Sequence, residues 1–249
     1  MPSFLSDGIE IAYDVSGEGR PILLIHGFAS SGAINWVNTG WVEALKQAGY
    51  QPITIDNRGH GKSRKLYDPK LYFAHEMAED SRRLLDHLGL ERVPVIGYSM
   101  GARIAAYLSL NHPTRVRSAI WGGMGINLIT GLEDSEEIIE ALTAESLADV
   151  KGATGRQFRI FADHSKADRA ALAACMISSR EPMPVHLVRQ IETPVLVAVG
   201  ETDDMAGDPR PLAGLLPHGE AMVIPKRNHM LATGDPKFKA AAVKFLLAH

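Results

Sequence analysis

Short, wholly apolar runs alternate with amphipathic stretches through the first half of the chain. Residues 9–15 alternate between apolar and polar, the period-two pattern of a half-buried strand. Ile22-Leu23-Leu24-Ile25, Ile53-Thr54-Ile55, Val93-Pro94-Val95-Ile96 and residues 116–121 form short runs suited to strands buried on both faces. Between them, residues 41–48 and 77–88 read as helices closed by Gly49 and Gly89. Residues 102–110 are mostly good helix formers. Apolar strands separated by helices predict an α/β fold, with a mostly parallel sheet covered by helices on both faces.

The rhythm changes near Met124. From there to Val185 the pattern predicts helices over 136–142, 144–150, 157–162 and 167–176, punctuated by Gly152, Gly155, Pro182 and Pro184, with no convincing strand. Strand character returns at Pro194-Val195-Leu196-Val197-Ala198-Val199. A helix from about Pro209, a strand over 221–224 and a helix over 236–247 complete the chain. The expected organisation is a core of residues 1–123 and 186–249 that carries a helical insertion over 124–185.

Chemistry concentrates where the strands end. Gly97-Tyr98-Ser99-Met100-Gly101 joins a buried strand to a helix, the nucleophile-elbow arrangement, in which a tight turn holds a serine hydroxyl clear of the sheet. The glycines leave room for the crossing of strand and helix. Acyl transfer also needs a base, a group that orients it and donors for an oxyanion. His229 is placed in a loop after the last strand, and Asp203 follows the strand that ends at Gly200. The acid is doubled as Asp203-Asp204, and only spacing from Gly200 favours the first. The backbone N–H groups of Phe28 and Met100 are the expected oxyanion donors.

These segments, with His26-Gly27-Phe28, residues 56–63 and Asn228-His229, resemble the α/β-hydrolase fold superfamily over nearly the whole chain. The resemblance implies an α/β-hydrolase fold with a helical cap, and Ser99, Asp203 and His229 as a triad in the family's chain order. It implies a carboxylesterase-like serine hydrolase acting on a small to medium uncharged ester, with lactone and thioester as close alternatives. C–C bond hydrolysis or perhydrolysis by the same triad is a rival, as is a small-molecule receptor built on this fold. Ser99 argues against halide displacement and epoxide opening, because relatives with those activities use an aspartate nucleophile. Trp36, Met124, Met205 and Met230 are candidates to line an apolar acyl pocket. His26 is expected to tie the oxyanion loop and His60 to pack beside it.

Composition narrows the partners. The 249 residues are 45% apolar and 22% charged, with a formal net charge of -3, so nothing points to nucleic acid or an anionic membrane. No apolar run approaches the ~20 residues of a membrane span, and the first residues lack the features of a signal peptide. A single cysteine, Cys175, fits a reducing compartment, and a cytoplasmic location is expected. Gly61-Lys62-Ser63 imitates the end of a phosphate loop, but Asp56 stands where the first glycine is required. No cofactor or metal is expected, the partner is a small-molecule substrate, and the oligomeric state stays open.

Overall fold

The computed structural model describes residues 1–131 and 135–249. Eight strands, β1 (Ser3–Ser6), β2 (Ile9–Val15), β3 (Arg20–Ile25), β4 (Tyr50–Ile55), β5 (Val93–Tyr98), β6 (Val116–Gly122), β7 (Val195–Gly200) and β8 (Gly219–Ile224), form one sheet in the order 1-2-4-3-5-6-7-8. From β4 to β8 neighbouring strands are parallel, whereas β1 and β2 join antiparallel at one edge. Alternation along the central strands sends side chains to two cores. Leu23, Ile25, Val95 and Val197 enter one, and Ile22, Leu24, Ile96 and Leu196 enter the other.

Helices α1 (Trp41–Gln47), α2 (Ala74–His87) and α3 (Met100–Asn111) lie in the first half, on opposite faces. Met77, Leu84, Ile104 and Leu108 of α2 and α3 pack in the first core. Trp41 and Leu45 of α1 pack in the second. Between β6 and β7 the described residues form α4 (Asn127–Thr130), α5 (Ser135–Thr143), α6 (Ala153–His164), α7 (Arg169–Ser178) and α8 (Val185–Val188). Leu128, Ile138, Leu142 and Leu172 from this segment extend the first core. The chain then adds α9 (Pro209–Ala213), α10 (His229–Ala232) and α11 (Pro236–Ala248), the last packing Phe238 and Phe245 in the second core.

Two local expectations are corrected, and one strand is added that the sequence pattern did not announce. Residues 144–150 hold only a short 3-10 turn at Leu147–Asp149, because the Asp149 carboxylate accepts from the Ser146 N–H at 3.1 Å and its Oγ–H at 2.7 Å. Those side-chain bonds compete with a continuing helix. Strand β1 was hidden in a segment of only four residues, in which Phe4 and Ser6 point inward. His229 opens helix α10, with Asn228 as its N-cap accepting from the Leu231 N–H at 3.0 Å.

A buried ion pair ties this frame together. Arg58, after β4, donates Nε to Asp80 Oδ2 at 2.7 Å and Nη2 to Oδ1 at 2.8 Å. Ser6 Oγ donates to the same carboxylate at 2.5 Å, and Arg58 Nη1 donates to the Leu71 carbonyl at 2.6 Å. Loop, helix α2 and edge strand β1 therefore share one polar anchor. Among the described residues no helix is long and apolar enough to cross a membrane.

Candidate active site

Because β3, β5, β7 and β8 run parallel, their carboxyl ends share one edge of the sheet, where clefts of open α/β folds lie. His26-Gly27-Phe28 leaves β3, Ser99 follows β5, Asp203 follows β7 and His229 follows β8. Four segments distant in sequence thus converge by topology alone.

Ser99 sits between β5 and α3 with φ 53° and ψ -116°, in the left-handed region that a residue with a Cβ occupies only under strain. Packing holds it there. The Ser99 N–H donates to the Gly122 carbonyl at 2.8 Å, and its carbonyl accepts from the Ala102 N–H at 2.9 Å. A Cβ on Gly97 would collide with the Gly101 carbonyl, and one on Gly101 with the Ile25 carbonyl. Only glycine lets the elbow cross β3 so closely.

His229 Nδ1 lies 2.8 Å from Asp203 Oδ2. A carboxylate accepts, so Nδ1 carries the proton and the neutral ring presents a lone pair on Nε2. The other carboxylate oxygen, Oδ1, accepts the N–H groups of Met205 at 3.1 Å and Ala206 at 3.0 Å. The Asp203 side chain is fully buried, whereas Asp204 is exposed. The histidine is anchored to the elbow strand: Tyr98 Oη donates to the His229 carbonyl at 2.5 Å, and the two rings lie 5.5 Å apart. Burial pushes the Tyr98 phenol well above its usual range, so the hydroxyl stays a donor. Sequence reading missed this partner, since 131 residues separate Tyr98 from His229 and no local pattern links them.

The loop after β3 lies against the elbow. A Cβ built on Gly27 would stand 3.3 Å from the Ser99 Cβ. The Gly27 N–H donates to Asn35 Oδ1 at 3.0 Å, and Ala29 is left-handed at φ 59°. His26 Nε2 accepts the Asn57 N–H at 3.0 Å, so its Nδ1 donates to the Gly27 carbonyl at 2.7 Å. Burial holds His26 below its ordinary pKa and brings His60 down to about 3. Both rings are neutral at physiological pH, with His60 5.8 Å from the Phe28 ring. Met100 opens α3, where a backbone N–H has no acceptor within the helix.

The expected apolar lining divides. Met124 is buried in the core that reaches the helical segment, and Met205 is half-buried beside Asp203. Trp36 is a correction: it is wholly enclosed in the opposite core, edge-on to Trp41 at 5.8 Å, because the turn after His26-Gly27-Phe28 carries it around the sheet. Met230 is corrected too, since it is 53% exposed on α10 and faces solvent.

The helical segment covers this edge. Phe158 packs against Phe28 at 5.6 Å between ring centroids, and Cys175 Sγ lies 3.7 Å from Met100 Sδ. Arg103, one turn into α3, donates to the carbonyls of Leu128 at 3.1 Å, Asn127 at 3.2 Å and Glu181 at 2.5 Å. The elbow helix thereby holds both ends of the segment. A groove of about 570 Å³ beside Asp86, Leu90 and Arg115 lies instead near the amino ends of β5 and β6.

A strained serine, a carboxylate-oriented histidine and a covering helical layer at the carboxyl edge are the arrangement of a hydrolase site. The alpha/beta hydrolase fold model matches residues 20–142, and the chain belongs to the α/β-hydrolase fold superfamily and is an enzyme of that type. A non-heme chloroperoxidase of Kitasatospora aureofaciens is 37% identical over 118 residues, 46% of this chain and 40% of the relative's length. A Bacillus subtilis protein provisionally named 2-succinyl-6-hydroxy-2,4-cyclohexadiene-1-carboxylate synthase is 26% identical over 94% of this chain and 93% of its own. The crystal structure of a bromoperoxidase from Bacillus anthracis is similar with a TM-score of 0.79 and 25% identity, covering 96% of each chain.

Proposed function

We propose that this enzyme is a serine hydrolase that cleaves a small to medium carboxylic ester, lactone or thioester through an acyl-enzyme. The observation that carries the reading is the 2.8 Å contact between His229 Nδ1 and the buried Asp203 carboxylate, at the same edge of the sheet as a strained Ser99. In this mechanism Ser99 Oγ attacks the carbonyl carbon as His229 Nε2 takes its proton. Asp203 holds the tautomer and stabilises the imidazolium. Negative charge on the former carbonyl oxygen is stabilised by the N–H groups of Phe28 and Met100, each such donor contributing on the order of 3 kcal/mol. His229 then protonates the leaving alcohol, and water activated by the same histidine releases the acid.

The segment over 124–185 serves as a cap that excludes water from the acyl-enzyme. A cytoplasmic enzyme fits Cys175, a buried thiol pushed up to about 12 and so kept unreactive. The names of the relatives cover different bonds and do not choose among them. The test is steady-state hydrolysis of a series of short acyl esters without any partner protein. Turnover is expected, and Ser99→Ala should lower kcat by at least about 10³-fold with the fold unchanged by circular dichroism. Full activity in that variant would remove the serine reading, and absence of turnover in the wild type would favour a receptor.

A further inference from the structure

Arg58, Arg103 and Arg159 are buried and Arg180 is half-buried, and the guanidinium groups of the first three find acceptors. Arg58 is paired with Asp80, Arg103 is held by three carbonyls, and Arg159 donates to Asp163 at 2.9 Å and to the carbonyls of Ala141 and Ala144. Arg180 differs. Its Nε and Nη2 are closed off from solvent, and neither finds a hydrogen-bond partner among the described residues. The following residue, Glu181, is exposed, so it supplies no buried counter-charge. Burial pulls the Arg180 guanidinium down to about 10, still protonated at neutral pH, and its charge helps to lower Arg103 as well. Guanidinium donors closed off from water without an acceptor are costly, and a ligand that brings an acceptor relieves that cost.

Its position says which ligand. Arg180 follows α7 in the stretch that the Arg103–Glu181 bond and the Met183 N–H to Leu128 carbonyl bond, 2.8 Å, clamp onto the elbow helix. The guanidinium carbon stands 5.5 Å from the centroid of the Phe28 ring, within the loop whose Gly27 abuts Ser99. Two of the three guanidinium nitrogens therefore lie inside the protein, with the cation against the loop that follows β3.

The structure assigns Arg180 as a carboxylate-recognition residue: the acyl part of the substrate carries a second, free carboxylate that its planar fork of N–H donors engages in the closed site. Two parallel N–H bonds match the two oxygens of a carboxylate, geometry that a lysine cannot supply. This replaces the uncharged acyl group expected from the sequence. It rests on the ester-hydrolase reading, with the substrate a half-ester or half-thioester of a dicarboxylic acid. Hydrolysis adds water across the acyl bond, releasing the alcohol or thiol and the dicarboxylate. Arg103, whose two terminal nitrogens already donate to carbonyls, acts only as a positioning residue for the stretch that carries Arg180.

The experiment compares ethyl butyrate with monoethyl succinate, which differ by a carboxylate in place of the terminal methyl, using proton release. Wild type is expected to prefer monoethyl succinate in kcat/KM. Arg180→Gln should lower the ratio of the two kcat/KM values by about 30-fold or more, the range for removing one partner of a buried charge pair. Arg180→Lys should recover part of it. Non-specific damage would depress both esters together and leave the ratio unmoved. An unmoved ratio, or a wild type that favours ethyl butyrate, overturns the assignment. Calorimetric binding of succinate to Ser99→Ala, and its loss on adding Arg180→Gln, reads the anion site without turnover. Succinate binding lost with Arg180 while neither ester is hydrolysed would sustain the anion site and defeat the ester reading. Hydrolysis with succinate binding indifferent to Arg180 would do the reverse.

Discussion

Asp203 and Asp204 are neighbours of identical chemistry, yet their surroundings separate them completely. Asp203 accepts from two backbone N–H groups and meets His229, whereas Asp204 is exposed. In the sequence only the distance from Gly200 distinguished the pair, because nothing local records which carboxylate turns inward. If Asp203 orients the base, Asp203→Asn presents the wrong imidazole tautomer, and kcat on one ester should fall on the order of 10⁴-fold. Asp204→Asn should stay within a few-fold of wild type, as solvated surface changes do. The opposite ranking would make Asp204 the acid. The elbow is equally testable through stability. Gly101→Ala drives a methyl into the Ile25 carbonyl, and a loss of about 3 kcal/mol is expected, a fall in Tm of roughly 6–12 °C. An unchanged Tm would mean that strand and helix separate more easily than their packing indicates.

Elements that pack by their own apolar pattern were the readable ones. β3, β5 and β7 are buried along nearly their whole length, so their runs carry their own signal. β1 takes its partner from β2 and its polar anchor from α2, both outside its four residues. The turn at Leu147–Asp149 was misread because helix-forming residues there are outvoted by the Ser146–Asp149 bonds. Tyr98 and Arg180 acquire their meaning only from segments far away in the chain. The same dependence predicts a large effect at Asp80. Removing it with Asp80→Ala strands the Arg58 charge in the interior, and a loss of about 3–5 kcal/mol is expected from urea unfolding. Arg58→Met with Asp80→Leu together should cost less than Asp80→Ala alone. A small effect of the single change would show that Arg58 escapes to solvent.

The whole molecule carries two neutral histidines, His26 and His60, inside the wall of the site. An unfolded chain binds protons at these positions below about 6.5, whereas folded His60 resists until about 3. The unfolded state thus holds more protons through that window, so stability is lost as pH falls from neutrality. For His60 the loss between pH 6.5 and pH 5 is about 2 kcal/mol. Unfolding measured at pH 7, 6 and 5 should show a steeper decline in wild type than in His60→Gln, whatever the baseline stability of the variant. Equal slopes would mean that His60 gains its proton in the folded state at ordinary pH.

At the same scale, the sheet topology brings Ser99, Asp203 and His229 to one edge and lays the helical segment over them. The most direct measurement of what that convergence does is covalent. A fluorophosphonate probe reacts with a serine whose hydroxyl is activated by a neighbouring base, and peptide mass spectrometry locates the adduct. The account predicts one adduct, on the peptide containing Ser99, abolished by His229→Ala with the fold intact. An adduct on another serine, or labelling of Ser99 that persists unchanged without His229, would contradict it.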